Sequence, residues 1–596
     1  MLEELPDLSQ ATNLEALVLD ICTSLQTLPE LPPCLKDLSV SRCKSMKTLP
    51  KLPPCLKDLN VGGCKSMKTL PKLPPCLKDL NVRGCKSMKT LPELPPRLKN
   101  LNVGKCASLK TLPELPQFLE TLNVEECLSL QTQPELPPCL KDLTVGNFPS
   151  MKTLPELPQF LEILNVKYCS SLQTLPELPP LLKDLNVGNC ISVKTLPELP
   201  QFLETLNTRY CSSLQFLPKL PPCLKVLNVG NCSSLQTLPE LPPFLKYLDV
   251  ENCISVKTLP ELPPSVEFLD TRSCISLQTL LNLPRSFKTL DFKMCKSLQT
   301  LPELPPHLVA LEVENCDSLQ TLPELPPCLK VLKVGNCISV KTILELPQFL
   351  ETLDIRCCTS LQSLPEFPPY LEVVNVIDCT SLKIVSPSKI VKELRKCGKH
   401  VLFWNCSSLD EDSLMAIRLD AQINMMKSAN TFDAKNYDYY DNYQASYVYP
   451  GSNVLEWLEY KTTNDYIIVD LSSAAPPSPS FGFIFCFVLG KYNNETTVRG
   501  LGSKITVSDV EGEGEKESVT MDILRFSDFQ IEEIGLDHVC IMIGLPAATA
   551  NEIFRYAFGQ VHLLSLSIAR IGVHLRFGLN FAINELLLLR KLVLST

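Results

Sequence analysis

Between Leu28 and Lys383 the apolar positions of this chain return every 21 residues. In the stretch LPKLPPCLKDLNVGGCKSMKT, residues 49–69, they fall at Leu56, Leu59, Val61 and Met67, and then at Leu70 and Leu73 of the next copy. The segment Leu56 to Val61 closes in strict apolar–polar alternation, which predicts a half-buried strand. Two prolines per copy, such as Pro71 and Pro74, exclude a long helix from the return segment and favour extended, polyproline-like backbone. One copy cannot bury its apolar stripe alone, so copies must stack, strand beside parallel strand, with the leucines filling a continuous interior. Seventeen consecutive copies start between Leu28 and Leu364 without an insertion or deletion. At ~4.8 Å per strand the ladder would run roughly 80 Å. The pattern predicts a curved, helix-poor α/β-class solenoid with a parallel β ladder on its concave face.

After each predicted strand comes a cysteine: Cys64 has equivalents every 21 residues from Cys43 to Cys379, with Phe148 the one exception. Leucines at these offsets, closed by Asn or Cys, are the pattern of leucine-rich repeats. Twenty-eight cysteines would suggest a disulfide scaffold in a small secreted chain. Here most occupy one interior column, which predicts small buried thiols, and no zinc-ligand spacing occurs. Cys34, Cys55, Cys76, Cys139, Cys223 and Cys328 precede the strand and are expected to pack as well. A chain of 596 residues with 45% hydrophobic and 20% charged residues has room for several domains. Its net charge of −9 gives no basic footprint for nucleic acid and no polybasic membrane signal. The opening MLEELPDLSQATNL lacks a charged-then-apolar leader, so the expected setting is reducing and intracellular, cytoplasm or nucleus.

Residues 1–27 hold a variant copy of 23 residues from Leu5. No amphipathic cap precedes it, which suggests an array cut from a longer protein. From Leu112 two kinds of copy alternate, so one column reads Lys99, Glu120, Lys141, Glu162, Lys183, Glu204, Lys225. Opposite charges on neighbouring strands attract weakly, and duplication of a two-copy block produces the same alternation. Beyond the array, Leu414, Ile417, Ala421 and Met425 recur at helical spacing behind a capping Asp410, which predicts a helix over 411–427 covering the open end. A polar, tyrosine-rich linker or docking loop follows at 431–448. Short β runs at 465–472, 481–490, 504–510 and 538–544, with Pro476, Pro477 and Pro479 between the first two, predict an all-β sandwich or jelly roll. The division expected is 1–384 solenoid, 385–430 cap and helix, 431–545 sandwich, and 546–596 an atypical apolar tail. That tail carries Arg570, His574, Arg576 and Glu585, which excludes a membrane span, and it is expected to leave the sandwich with an open strand edge.

The stretches FWNCSSLDEDSLMAIRLDAQINMMK at 403–427, YPGSNVLEWLEY at 449–460 and GFIFCFVLGKY at 482–492 resemble the region after the repeats in plant intracellular disease-resistance proteins. LPDLSQATNLEALVL at 5–19 is similar to one of that family's repeats. These receptors join a TIR domain, a nucleotide-binding switch, leucine-rich repeats and a C-terminal jelly-roll or immunoglobulin-like domain. The resemblance covers residues 1 to about 544. It implies the recognition half of an immune receptor, sensing a pathogen effector or a host protein, with a full-length receptor as a further partner. The alternatives are a non-immune repeat scaffold or regulatory binding protein, and a receptor fragment without function. Leu455 stands where the family commonly has proline, and no GxxxxGK[ST] loop is present to cradle a nucleotide.

No constellation for catalysis emerges. The five histidines, His307, His400, His538, His562 and His574, have no paired Cys or carboxylate at ligand spacing, so neither enzyme, metal nor cofactor is expected. Bacterial ubiquitin-ligase effectors also use LPELP-rich repeats, but the β-rich C-terminal half here does not suit their helical ligase domain. Binding is the better fit. On the outward face of the strands one column runs Asn60, Asn81, Asn102, Asn123 and turns acidic at Asp249, Asp270, Asp291 and Glu312. Beside it lie Tyr247 and Phe268, with Tyr168 and Tyr210 in the next column and basic Arg209, Arg272 and Lys293. Exposed aromatics flanked by charge anchor protein interfaces. Tyr247, Phe268, Asp270, Arg272 and Asp291 are the expected central contacts, with Tyr168, Tyr210 and Lys293 at the margin. The same columns also fit a plain role, asparagines bonding along a ladder and aromatics covering backbone.

Overall fold

In the computed structural model the described residues are 3–8, 11–130, 135–386, 400–431, 445–453, 455, 460–462, 466–470, 483–489, 492–498, 500–509, 517–525, 531–534, 536–543, 562–568 and 575–581. The chain divides into two compact units, Met1–Phe287 with Met294–Lys296, and Lys288–Lys293 with Ser297–Thr596.

In the first unit each copy supplies one three-residue strand, from β1 (Ala16–Val18) to β13 (Phe268–Asp270), and the 13 strands pair in chain order. Pairing is parallel at an offset of 21, as in Asp58 with Asp79, Leu59 with Leu80 and Asn60 with Asn81. The middle leucine of each strand points inward, and Leu59, Val61, Cys64 and Met67 are buried together. The fit follows from length: 21 residues return the chain to the same corner, so equivalent leucines stack on one another.

The cysteine column does more than fill space. Each thiol donates to a carbonyl of the preceding coil: Cys64 to Val40 at 3.0 Å, Cys85 to Val61 at 3.1 Å and Cys211 to Val187 at 3.1 Å. Burial pushes the Cys64 thiol up to about 12 and Cys106 to about 11, so neither supplies a thiolate near neutrality. The cysteines among the described residues are free thiols. Next to each cysteine of the column, and next to Phe148, the backbone turns through the left-handed region, at Gly63, Gly84, Asn147, Asn189 and Asn231 among others. Gly and Asn adopt it at low cost, whereas Tyr168 and Tyr210 take a strain of roughly 1–2 kcal/mol each.

The parallel ladder of the second unit runs through β14 (Thr289–Asp291), β15 (Ala310–Glu312), β16 (Val331–Lys333), β17 (Thr352–Asp354), β19 (Val373–Asn375) and β21 (His400–Leu402). A two-stranded sheet, β18 (Ser363–Leu364) with β20 (Ile384–Val385), forms within the last coils. The sequence predicts one unbroken ladder, but the paired strands form two sheets that part between β13 and β14. The coil at that point departs from the pattern: Leu281 replaces a proline and is exposed, and the larger Phe287 fills the buried site before the strand.

The predicted helix is α1 (Glu411–Thr431), and Asp410 caps it by accepting from Ser413 N at 2.8 Å. Ile417, Ala421 and Met425 are buried as expected, while Leu414 is half-buried. Two polar residues share that face: Asp420 accepts from Tyr447 Oη at 2.9 Å and from Asn424 Nδ2 at 2.9 Å. Burial and the Asp420 carboxylate together hold the Tyr447 phenol protonated, far above its ordinary value. Helix α1 packs on β20 and on β22 (Ala445–Pro450).

Strand β22 extends the ladder in parallel with β21 and reverses its direction by pairing antiparallel with a later strand. The remaining strands are β23 (Tyr460–Thr462), β24 (Tyr466–Asp470), β25 (Phe483–Leu489), β26 (Tyr492–Val498), β27 (Gly500–Asp509), β28 (Glu517–Arg525), β29 (Ile531–Ile534), β30 (His538–Ile543), β31 (His562–Ile568) and β32 (Leu575–Phe581). They pair in the orders β22-β30-β25-β32-β23, β24-β31-β27-β28 and β26-β29. The expected runs at 465–472, 481–490, 504–510 and 538–544 correspond to β24, β25, β27 and β30. The tail differs from expectation, since HLLSLSI and LRFGLNF alternate strongly enough to enter the sheets as β31 and β32. Pro476, Pro477, Pro479, Glu585 and residues 432–444 lie outside the described residues, whereas 445–448 of the expected loop belong to β22. Among the described residues no helix is long and apolar enough to cross a membrane.

Candidate protein-binding site

The outward positions of each strand have unequal roles. In the asparagine column the side chain folds back on its own coil: Asn60 Oδ1 accepts from Gly62 N at 3.0 Å, Asn81 from Arg83 N at 3.0 Å and Asn186 from Gly188 N at 3.0 Å. Asp249, Asp270 and Asp291 do the same for Glu251, Arg272 and Lys293, at 2.9, 3.1 and 3.0 Å. These are Asx turns that hold the chain as it enters the left-handed corner. The column therefore has a structural task and leaves only its second oxygen or its nitrogen outward.

Two positions further on, large charged residues alternate with glycine: Arg83, Gly104, Glu125, and Arg209, Gly230, Glu251. The long side chains bridge over the glycine coil, Arg83 to Glu125 and Arg209 to Glu251, while Arg209 Nη1 reaches Asp249 Oδ2 at 2.6 Å. A Cβ at Gly104 would lie 3.1 Å from Arg83 Nη1 and 3.2 Å from Glu125 Cγ, and one at Gly230 would lie 2.9 Å from Asp249 Oδ1. A Cβ at Gly104 would also lie 2.8 Å from Asn123 Oδ1, so glycine leaves room both for the strap and for the Asx oxygen of the next coil.

At the C-terminal end of the first unit the straps merge. Arg272 pairs with Asp270 at 2.6 Å and with Glu251 at 3.5 Å, joining the Arg209 cluster. Asp249, Glu251 and Asp270 bring carboxylate oxygens within 4.8 Å of one another. Two guanidinium groups already engage that cluster, so its geometry is that of an ion-pair network and not of an open cation site. Over it the Tyr247 and Phe268 rings stack face to face, centroids 4.5 Å apart with planes 3° from parallel. Phe268 is 44% exposed.

The structure thus brings Tyr247, Phe268, Asp270 and Arg272 together. Tyr210, 45% exposed, sits in the corner after its strand with the Arg209 guanidinium 5.3 Å from its ring centroid, and Tyr168 takes the same corner two coils earlier. Asp291 and Lys293 belong to the second unit, where Lys293 pairs with Glu312 and, at 4.0 Å, with Glu314. Elsewhere in the charge column Lys99–Glu120 at 2.6 Å, Lys183–Glu162 at 2.7 Å and Lys225–Glu204 at 2.7 Å pair along the row.

At the first strand position sequence reasoning picked out the aromatics and passed over the carboxylates Asp37, Asp58 and Asp79 on consecutive coils. They line a groove of about 480 Å³ on the strand face with Asn100, Thr121 and Asp142. Burial, then hydrogen bonds shared with Asp79 and Asp37, push the Asp58 carboxyl up to about 7. The folded chain holds this proton where the unfolded chain would lose it. Stability is therefore greatest below the ordinary carboxyl range and falls as pH rises from about 4 through 7. Asp58→Asn is expected to flatten that slope and raise stability by about 1 kcal/mol at alkaline pH, well under the full shift because solvent screens a half-exposed carboxyl. Urea midpoints measured across pH check it.

No protein-family model and no curated protein matches the chain. Among solved structures it is similar to YopM from Yersinia enterocolitica WA-314, 32% identical over 64% of this chain and 91% of that one, with a TM-score of 0.46. It is also similar to the leucine-rich effector protein YopM from Yersinia pestis, 32% identical over 57% and 88%, TM-score 0.40. A leucine-rich-repeat protein from Bacteroides ovatus ATCC 8483 matches at 18% identity over 55% and 82%, TM-score 0.31.

Proposed function

We propose that this chain, which belongs to the leucine-rich-repeat proteins, is a protein-recognition scaffold that works by binding and not by catalysis. The observation that carries the proposal is the Tyr247–Phe268 stack above charges that already have partners. Arg209 and Arg272 already pair with Asp249, Glu251 and Asp270, so each charge has a partner and the cluster keeps one net negative charge. The exposed ring face gains by being covered, and burying two aromatic side chains is worth several kcal/mol. Tyr210 extends the apolar area on the same unit.

The finer reading is the recognition half of a plant intracellular immune receptor, which senses an effector or a host protein in cytoplasm or nucleus and partners a full-length receptor. It is supported by the FWNC and YPGSNV motifs after the repeats, whose Trp404 and Tyr449 are buried where β21 and β22 extend the ladder. The strand-rich remainder serves in this reading as the jelly-roll domain, sharing the ligand with the repeats. A scaffold with no immune role is the alternative.

Capture from infected and from uninfected plant tissue identifies the ligand, and retention only from infected tissue supports the sensor role. Tyr247→Ala with Phe268→Ala is then expected to weaken binding more than about tenfold. Unchanged affinity with an unchanged circular dichroism melt would remove this patch as the binding surface.

A further inference from the structure

The edge of the first unit that leads into the strands carries a second apolar feature, separate from the strand face. Phe118, Phe160, Phe202 and Phe244 hold the same position on alternate coils and are 55–66% exposed. Between them stand the smaller Cys139, Leu181 and Cys223. With coils ~4.8 Å apart, rings recur about every 10 Å with a notch between each pair. Side chains at this position do reach their neighbours: in the second unit Phe349 and Tyr370, one coil apart, stack at 5.6 Å.

The charge column lies two residues further along each coil. Glu120, Glu162 and Glu204 share coils with Phe118, Phe160 and Phe202, whereas Lys141, Lys183 and Lys225 share coils with the notches. Over the coils of Phe118 to Lys225 bump and negative charge therefore coincide, as do notch and positive charge, whereas Phe244 shares its coil with Lys246. Contiguous exposed apolar rows of this kind are uncommon on monomers.

We propose that this ridge is the contact between two copies of this chain, related by a two-fold axis passing between the coils of Phe160 and Leu181. That axis sets Phe160 against Leu181 of the second copy, Phe202 against its Cys139 and Phe118 against its Cys223, so each ring enters a notch. The same operation sets Glu162 opposite Lys183, Glu204 opposite Lys141 and Glu120 opposite Lys225, extending pairs that these residues make within their own chain, and at the margin it sets Lys246 opposite Lys99. At the margin Arg97 meets the ring of Phe244, a cation–π arrangement. Moving the axis by half a coil would set Phe160 against Phe202 and Glu162 against Glu204, ring on ring and like charge on like. Shape and charge thus select one register, and a two-fold contact of this kind closes on itself without leaving a free ridge.

Sedimentation equilibrium on the full chain, 66.5 kDa per copy, tests the proposal. The expected species has twice that mass. Phe160→Glu enters the contact twice, so it is expected to raise the dimer dissociation constant more than about a hundredfold. Its circular dichroism spectrum should not change, because the ring is exposed in the single chain, while its melt loses the concentration dependence that a dimer confers. Leu344→Glu, at an exposed apolar position of the second unit, should leave the dimer intact. A monomer at high micromolar concentration overturns the proposal, even if the ridge then captures another protein. A dimer indifferent to Phe160→Glu overturns it too. Both outcomes leave the Tyr247–Phe268 face untouched, so the two proposals fail separately.

Discussion

Trp404→Ala is expected to lower the stability of the second unit by about 4 kcal/mol, the range for removing a fully buried aromatic side chain. Trp404 is 1% exposed and lies beside buried Phe403 and Cys406 at the end of the parallel ladder. Its ring centroid is 4.6 Å from that of His538 on β30, so it joins the ladder to the antiparallel strands. Burial lowers the His538 pKa to about 4, which keeps the imidazole neutral at physiological pH. Neutral Nε2 can then accept from Asn405 N at 2.8 Å. Removing Trp404 opens a cavity and weakens the packing that excludes water from this contact. Hydrogen exchange should show lost protection in β21, β22 and β30 with the first unit unchanged. Equal protection in variant and parent would refute a bridging role for the tryptophan.

The second large effect is placed in the middle of the first unit. Leu206→Ala is expected to cost about 3–4 kcal/mol, because Leu206, Leu185 and Leu227 are fully buried and stack in register on consecutive coils. Backbone pairing and leucine packing join each coil to its immediate neighbours, so the defect also weakens the coupling between the coils on either side. Urea unfolding should shift to a lower midpoint and broaden as the two halves separate. A sharp transition at the parent midpoint would show that the coil repacks around alanine.

The fold was legible in the 21-residue pattern because every interior position repeats. Leu59, Val61, Cys64 and Met67 keep their chemistry from copy to copy, and buried positions follow from that regularity. What one copy cannot display is an interaction between copies two apart. The Arg83–Glu125 and Arg209–Glu251 straps join residues separated by a whole intervening coil, and Gly104 or Gly230 reads as a bare spacer until the strap above it is seen. The Asn column was legible as polar and outward but not as an Asx turn, since its partner is a backbone N–H without a sequence signature. For the candidate site, Tyr247 and Phe268 were found because their offset places them on one strand column. Tyr168 and Tyr210 sit in the left-handed corner instead, a conformation that nothing in a tyrosine's identity announces. Asp37, Asp58 and Asp79 were visible as a column and went unweighted, because proton sharing depends on how near and how shielded the carboxyls are.

The strict neighbour-to-neighbour ladder also bears on mechanics. Each strand of the first unit is three residues long and bonds only to the strands before and after it, as β12 (Tyr247–Asp249) bonds to β11 (Val226–Asn228) and β13. Tension drawn between the ends of such an array meets a series of small, nearly equal latches and no single strong clamp. Opening one latch frees 21 residues, roughly 70 Å of contour in place of ~5 Å of ladder. The array is thus a reserve of slack, able to lengthen many times over in even steps while the coils still closed keep their own leucine interior dry.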